Sequence, residues 1–281
     1  MMEIPEATVV ARQLNETVAG KKIVKVIAEH SPHKFAWFHG DPQTYHSILS
    51  GKTIGTATGY GGMVEIKVGS VGPERGVTKM VFGDGVGLRY FGPQEVRPEK
   101  HQLMVEFENS GALTASVQMY GGIWCFEGDF DNPYYKVAQE KPSPLSSEFN
   151  EAWFDGMLAA PEHQKLSVKA FLATEQRVPG LGNGVLQDIL WNARIHPKRK
   201  MNTLAAAEKE QLFKSVKVVL MEMTKLGGRD TEKDLFGKNG GYQTVMSKNN
   251  AGLPCPVCSE IIKKENYLGG SIYYCPGCQR A

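Results

Sequence analysis

Before Cys255 the chain contains a single cysteine, Cys125. One thiol cannot build a disulfide framework, so an ordinary apolar core must hold most of the 281 residues, and a reducing compartment, read here as cytoplasm, is implied. No apolar run is long enough to span a bilayer and no signal-peptide pattern opens the chain, which argues against a membrane partner. A dominant charge is also missing, since 32 Lys+Arg stand against 30 Asp+Glu. What remains is an ordinary globular composition, long enough for two modest domains and a small module.

That module is the tail. Cys255-Pro-Val-Cys258 and Cys275-Pro-Gly-Cys278 are two C-x-x-C knuckles that together can hold one tetrahedral Zn²⁺. Two disulfides or an iron–sulfur cluster are the competing readings. Between the knuckles, Gly269-Gly270 flanked by Ile261, Ile262, Ile272, Tyr273 and Tyr274 predicts a β-hairpin closed by metal. Four thiolates leave no open coordination position, so the ion would be structural. Splitting the chain also resolves its charge: residues 1–160 hold 14 Lys+Arg against 19 Asp+Glu, while residues 161–281 hold 18 against 11. The basic half carries the hairpin and Lys198-Arg199-Lys200, which suggests a polyanion partner, nucleic acid first.

Taken in order, Pro5, Glu6 and the spacing of Val10, Leu14 and Val18 predict a helix ending at Gly20. Strand patterns follow over 23–27, 63–68, 80–82, 87–90 and 103–107, punctuated by glycine, and predict an antiparallel sandwich or barrel. Helical patterns then take over at 147–158, 167–176, 184–194 and 203–226. Between the second and third, Val178-Pro-Gly-Leu-Gly-Asn183 forms a glycine-rich turn whose backbone N–H groups suit phosphate. From Arg229 to Asn250 periodicity is lost, and a mobile loop is expected around Gly237–Tyr242. The expected divisions are 1–132, a linker at 133–144, 145–250 and 251–281. Trp37, Trp124 and Trp191 are expected to pack cores, and Cys125 to be a small buried hydrophobe.

Met2-Glu-Ile-Pro-Glu6, Pro98-Glu-Lys-His101, Gly180-Leu-Gly-Asn183, Ile195-His-Pro197 and Tyr274-Cys-Pro-Gly-Cys-Gln279 together resemble the formamidopyrimidine-DNA glycosylase and endonuclease VIII family over essentially the whole chain. The resemblance implies an α+β chain: an N-terminal β-sandwich with a leading helix, a helix–two-turn–helix domain and a C-terminal four-cysteine zinc β-hairpin. It implies a monomeric base-excision repair protein of the bacterial cytoplasm and nucleoid, which binds damaged double-stranded DNA, flips a lesion and cleaves its glycosidic bond. Single-stranded and abasic DNA are further candidate partners. Glu3 would be the acid/base and Glu6 the second family glutamate. An α-amine at Met2, where the family carries proline, would be the nucleophile, because its pKa near 8 leaves a neutral fraction at pH 7. Asn183, Lys169 and Lys100 would contact DNA, and Asp188 stands near a family acidic position.

The chain also departs from the family. Bulky Met2 should block removal of Met1, placing the amine one residue further out. Gly62 or Met63 stands where a catalytic lysine belongs, and no lysine occurs between Lys52 and Lys67. Gly270 replaces a phosphate-gripping arginine, with Lys263 and Lys264 as partial substitutes in charge. Gln118-Met119-Tyr120-Gly121 replaces an arginine-rich loop, leaving Met119 or Tyr120 as the wedge into the duplex. Glu3 favours an active glycosylase, with or without lyase chemistry. The missing proline and lysine favour a protein that binds damage without cutting, and the glycines around Gly61-Gly62 favour a bulky or single-stranded lesion.

Overall fold

The computed structural model describes residues 1–69, 77–83 and 85–280. Helix α1 (Ile4–Thr17) starts where expected, with Pro5 in its first turn and the Glu6 carboxylate accepting from the Glu3 backbone N–H at 3.1 Å. Its apolar stripe, including Val10, Ala11 and Leu14, packs on a two-sheet body. One sheet has the order β1 (Ile23–Ala28), β7 (Leu103–Phe107), β8 (Ala112–Val117), β6 (Val86–Phe91). The other runs β2 (Ala36–Phe38), β9 (Gly121–Glu127), β5 (Thr78–Phe82), β4 (Met63–Val68), β3 (Ile54–Tyr60). Pairing is antiparallel except for the short β2, which runs parallel to β9 at the sheet edge. Short helix α2 (Tyr45–Leu49) closes one end, and Leu49, Ile66, Phe82, Val105 and Phe107 fill the space between the sheets. Strands β3 and β8 escaped the sequence reading because Gly55, Gly59, Ala112 and Ala115 dilute the β-forming signal. Gly59 lets β3 lie close under the helix: a Cβ would sit 3.1 Å from the Ala7 carbonyl above it.

The expected linker is partly wrong. Residues Pro133–Glu140 form helix α3, capped by Asn132, which accepts from Tyr135 N at 3.0 Å, and Tyr135 hydroxyl binds buried Glu65. Tyr135 and Ala138 pack with Phe126 and Phe130, so the segment belongs to the sheet body and only the stretch after it is extended. The second body is helical: α4 (Glu151–Ala159), α5 (Val168–Ala173), α6 (Asn183–Asn192) and α7 (Ala206–Lys225) surround Phe154, Phe171, Leu186, Leu190, Val216 and Leu220. Helix α4 begins at Glu151 instead of Ser147, because Asn150 supplies the cap by accepting from Trp153 N at 2.9 Å. Strands β10 (Lys263–Tyr267) and β11 (Gly270–Tyr274) form the expected hairpin, turning at Leu268 (φ 49°) and Gly269 (φ 71°).

The two bodies meet along the N-terminal segment. Met2 is buried in the sheet core and Ile4 in the helical core, leaving Glu3 on the seam. The segment after α7 stitches the seam from outside: Leu235 enters the sheet core, and Gln13 of α1 accepts from Leu235 N at 3.0 Å.

Candidate active site and metal centre

Glu3, the first functional candidate in the chain, is 6% exposed. Its carboxylate accepts the first free N–H groups of α6, Gly184 N at 2.9 Å and Val185 N at 2.8 Å. A carboxylate placed there is favoured by the helix dipole and by donors that would otherwise lack partners. Arg229 Nη1 lies 3.6 Å from the same carboxylate. Glu6 is held more tightly, with Arg229 Nε at 3.0 Å and Nη2 at 2.8 Å on its two oxygens and Arg229 N at 3.1 Å. The guanidinium is 3% exposed, and its bidentate geometry is one that lysine could not reproduce. Gly184 makes this approach possible, since a Cβ would fall 1.7 Å from Arg229 Nη1.

Environment separates the two carboxyls. Burial drives the Glu3 pKa up, against the pull of Arg229 and with the Glu6 charge adding to the rise. Burial works the same way on Glu6, but the Arg229 charge and its hydrogen bonds outweigh it, and the Glu6 pKa is lowered. Two neighbouring carboxyls pushed in opposite directions form an arrangement suited to dividing acid and counter-ion roles.

Beside this cluster lies a cavity of about 220 Å³, lined by Met1, Glu6, Gly85, Leu88, Gln118 and Glu232 among others. The Met1 amine pairs with the Glu232 carboxylate, and the Met1 carbonyl accepts from Arg229 Nη2 at 3.1 Å. Met2, expected at the nucleophile position, buries its side chain in the sheet core. The segment 229–250, expected to be mobile around 237–242, is tied at several points. Asp188 accepts from Val245 N at 3.0 Å and Met246 N at 2.6 Å, and Asp230 accepts from Thr244 N at 3.2 Å. Asp188 is thus a buried support, its pKa raised by burial.

The expected DNA contacts divide. Lys100, Lys263, Met119 and Tyr120 are exposed. Lys169, expected to contact DNA, is only 4% exposed and donates to the Tyr267 carbonyl at 2.6 Å, tying α5 to the hairpin. Asn183 likewise donates to the Ser271 carbonyl at 2.8 Å; the cap position belongs to Gly182. Both grips close over Gly270, whose Cβ would meet Lys169 Nζ at 3.5 Å and Asn183 Nδ2 at 3.6 Å. Where a lysine was missed at 62–63, the chain instead packs backbone on backbone: a Cβ on Gly61 would lie 2.9 Å from Pro179 C, and one on Gly180 2.2 Å from Gly62 N. His101, stacked on His30 with ring centroids 4.6 Å apart, and His196, against Tyr274 at 4.4 Å, are packing residues. Cys125 is buried and its thiol is pushed up to about 12. Trp37 contradicts the core expectation, being 49% exposed beside Tyr120.

The sulfurs of Cys255, Cys258, Cys275 and Cys278 all lie within 4.8 Å of one another and can hold one metal ion. Separations of 3.8 Å (255 to 278), 3.2 Å (258 to 275) and 3.5 Å (278 to 258) are far from the roughly 2.05 Å of a disulfide, and near the roughly 3.8 Å edge of a tetrahedron with 2.3 Å bonds. The hairpin has only a small core of its own, Cys255, Ile262 and Cys275 with Met246, and leans on α6 through Gln187 Oε1, which accepts from Tyr273 N at 3.1 Å.

Arg229 and Glu232 were the residues missed. Both stand in the aperiodic segment, and the only available signal was a lone arginine directly after Gly227-Gly228 where a helix ends.

Residues 141–234 match the formamidopyrimidine-DNA glycosylase H2TH domain. Curated relatives match end to end: a formamidopyrimidine-DNA glycosylase of Symbiobacterium thermophilum is 29% identical over 99% of this chain and 89% of its own length, and one of Lactococcus lactis is 27% identical over the full length of both. The Lactococcus lactis enzyme solved with abasic-site DNA superposes with a TM-score of 0.82 at 23% identity, covering 99% of this chain and all of that one. The Thermus thermophilus protein gives 0.78 at 22%, covering 99% and 98%. The structural likeness establishes the fold, the domain match covers the helical body, and the curated relatives span both termini, so the chain carries a formamidopyrimidine-DNA glycosylase H2TH domain and is similar along its whole length to formamidopyrimidine-DNA glycosylases.

Proposed function

We propose that this protein is a base-excision DNA glycosylase that binds damaged duplex DNA in the cleft between its two bodies and releases a lesion base. The observation that carries the reading is the buried Glu3–Glu6–Arg229 cluster, which joins the first residues of the sequence to α6 beside a cavity. Glu3, its pKa raised, is suited to deliver a proton to the sugar or base as the glycosidic bond breaks, while ionised Glu6 balances Arg229. The Met1 amine, held beside Glu232, would attack the sugar C1′ from its neutral fraction, the base departing with the bonding electrons and taking a proton from Glu3. Water directed by Glu3 is the monofunctional alternative. Zn²⁺ is the ion that fits the four cysteines, and it would hold the hairpin in shape. Lys100, Lys263, Met119 and Tyr120 would meet the DNA, with Lys169, Asn183 and Asp188 positioning the surfaces that do.

A second reading, damage binding without cleavage, is favoured by one feature: both Glu3 oxygens already accept hydrogen bonds from α6. Borohydride trapping on a duplex with one abasic site separates the two. A covalent adduct located on Met1 by mass spectrometry supports the lyase, and no adduct removes the amine from the mechanism. Glu3→Gln is expected to abolish base release while sparing DNA binding, and unchanged release would take Glu3 out of the chemistry.

A further inference from the structure

We infer that the Trp191 indole N–H donates a hydrogen bond to the Cys255 sulfur when that sulfur is an ionised metal ligand, which makes Trp191 a positioning residue for the four-cysteine site. The inference rests on the zinc reading above. Trp191 lies in the last turn of α6 and packs against the small hairpin core of Met246, Cys255, Ile262 and Cys275. Its Nε1 is closed to solvent and, among the described residues, has no hydrogen-bond partner. A buried indole N–H normally finds an acceptor, so one left without calls for a cause. Here the indole faces the Cys255 sulfur without closing a hydrogen bond to it. A thiol is a poor acceptor and a thiolate a strong one, so this N–H gains its partner when the cysteines give up their protons to a cation.

Burial explains why Cys255 needs a donor from outside its knuckle. Cys258 is exposed and Cys278 half-buried, so water can serve their sulfurs, whereas Cys255 is 2% exposed and Cys275 fully buried. Each buried sulfur meets backbone N–H groups of its own knuckle: Cys278 N donates to Cys275 Sγ at 3.4 Å, and the Val257 and Cys258 N–H groups face Cys255 Sγ. Trp191 adds to Cys255 a donor carried by a helix of the other body. Such a hydrogen bond draws charge off the sulfur, weakens protons as competitors for it and fixes its direction. Phenylalanine would fill the same apolar space, so the N–H is what tryptophan adds. One helix then carries both centres, since α6 also gives its first N–H groups to Glu3.

The test uses the full-length protein with metal bound. Zinc release to a chromophoric chelator is expected to be about tenfold faster from Trp191→Phe than from native protein, the lower end of what hydrogen bonds to metal ligands contribute. With Co²⁺ in place of zinc, the thiolate-to-metal charge-transfer band should move to longer wavelength in Trp191→Phe, because a sulfur without its donor parts with an electron more readily. Faster release with an unmoved band would mean that the indole only packs, and would overturn the inference, as would unchanged release. Native protein loaded with ¹¹³Cd gives a reading that does not depend on how the variant folds. A hydrogen bond to a metal-bound sulfur transmits spin coupling, so one indole N–H resonance should be split by the metal, and the absence of any splitting would overturn the inference alone. Native protein that holds no zinc and takes up neither Co²⁺ nor Cd²⁺ would overturn the zinc reading and this inference together.

Discussion

The cysteine hairpin and the seam cluster both crowd ionisable side chains together, and they resolve the crowding differently. The hairpin brings four sulfurs within 4.8 Å from 24 consecutive positions, 255–278, and needs a cation from outside to let them ionise together. The seam brings Glu3 and Glu6 against Arg229, more than two hundred positions away, and the chain supplies its own cation and backbone donors. A local cluster depends on a ligand. A non-local one depends on the packing of everything between.

Metal removal should break the comparison most sharply. A chelator, or Cys258→Ser, is expected to unfold the hairpin and collapse DNA affinity while the sheet body melts as before, because structural zinc is worth on the order of 10 kcal/mol to so small a module. Parallel loss of hairpin and sheet signals in a melt would mean that the hairpin is part of the general core.

The seam should answer to charge instead. Arg229→Met leaves two buried carboxylates without their cation and is expected to cost about 3–5 kcal/mol in urea unfolding, with no response to added zinc. A cost below about 1 kcal/mol would show that the carboxyls protonate or reach water without loss. Gly184→Ala tests the same contact sterically: its Cβ, 1.7 Å from Arg229 Nη1 and 2.9 Å from Glu3 Oε1, should cost about 1–3 kcal/mol. Native-like stability would mean that α6 can slide away from the guanidinium.

The smallest effect is a slope. The Glu3 pKa is raised on folding, so its contribution is fully present below the ordinary value of 4.5 and is lost as pH rises through the folded value. Glu6, lowered on folding, contributes above 4.5 and loses that contribution as pH falls through its folded value. The stability difference between native protein and Glu3→Gln should therefore decline as pH rises above 4.5, by at most about 1.4 kcal/mol per pH unit. A flat difference would place Glu3 at an ordinary pKa.

How legible each region was in the sequence follows the same division. The knuckles and hairpin could be read because ligand spacing and turn chemistry act between near neighbours, and α1, α6 and α7 because 3.6-residue periodicity is local. Strands β3 and β8 were lost where glycine and alanine mask the pattern, and α3 because Asn132-Pro133 reads as a turn before it reads as a cap. Trp37 seemed a core residue by type, yet an edge strand leaves half of it in water.

By itself the sequence determined the kinds of groups available: a four-thiolate site, two carboxylates at the first helix, a glycine turn before α6 and no lysine from 53 to 66. Tertiary structure decided what those groups do. It turned Lys169 and Asn183 onto the hairpin backbone, placed Glu3 at the α6 N-terminus, and brought Arg229 and Glu232 from an aperiodic segment to the start of the chain. The physical reason is that partners and pKa values depend on distance and burial in three dimensions, whereas sequence pattern records only neighbours along the chain.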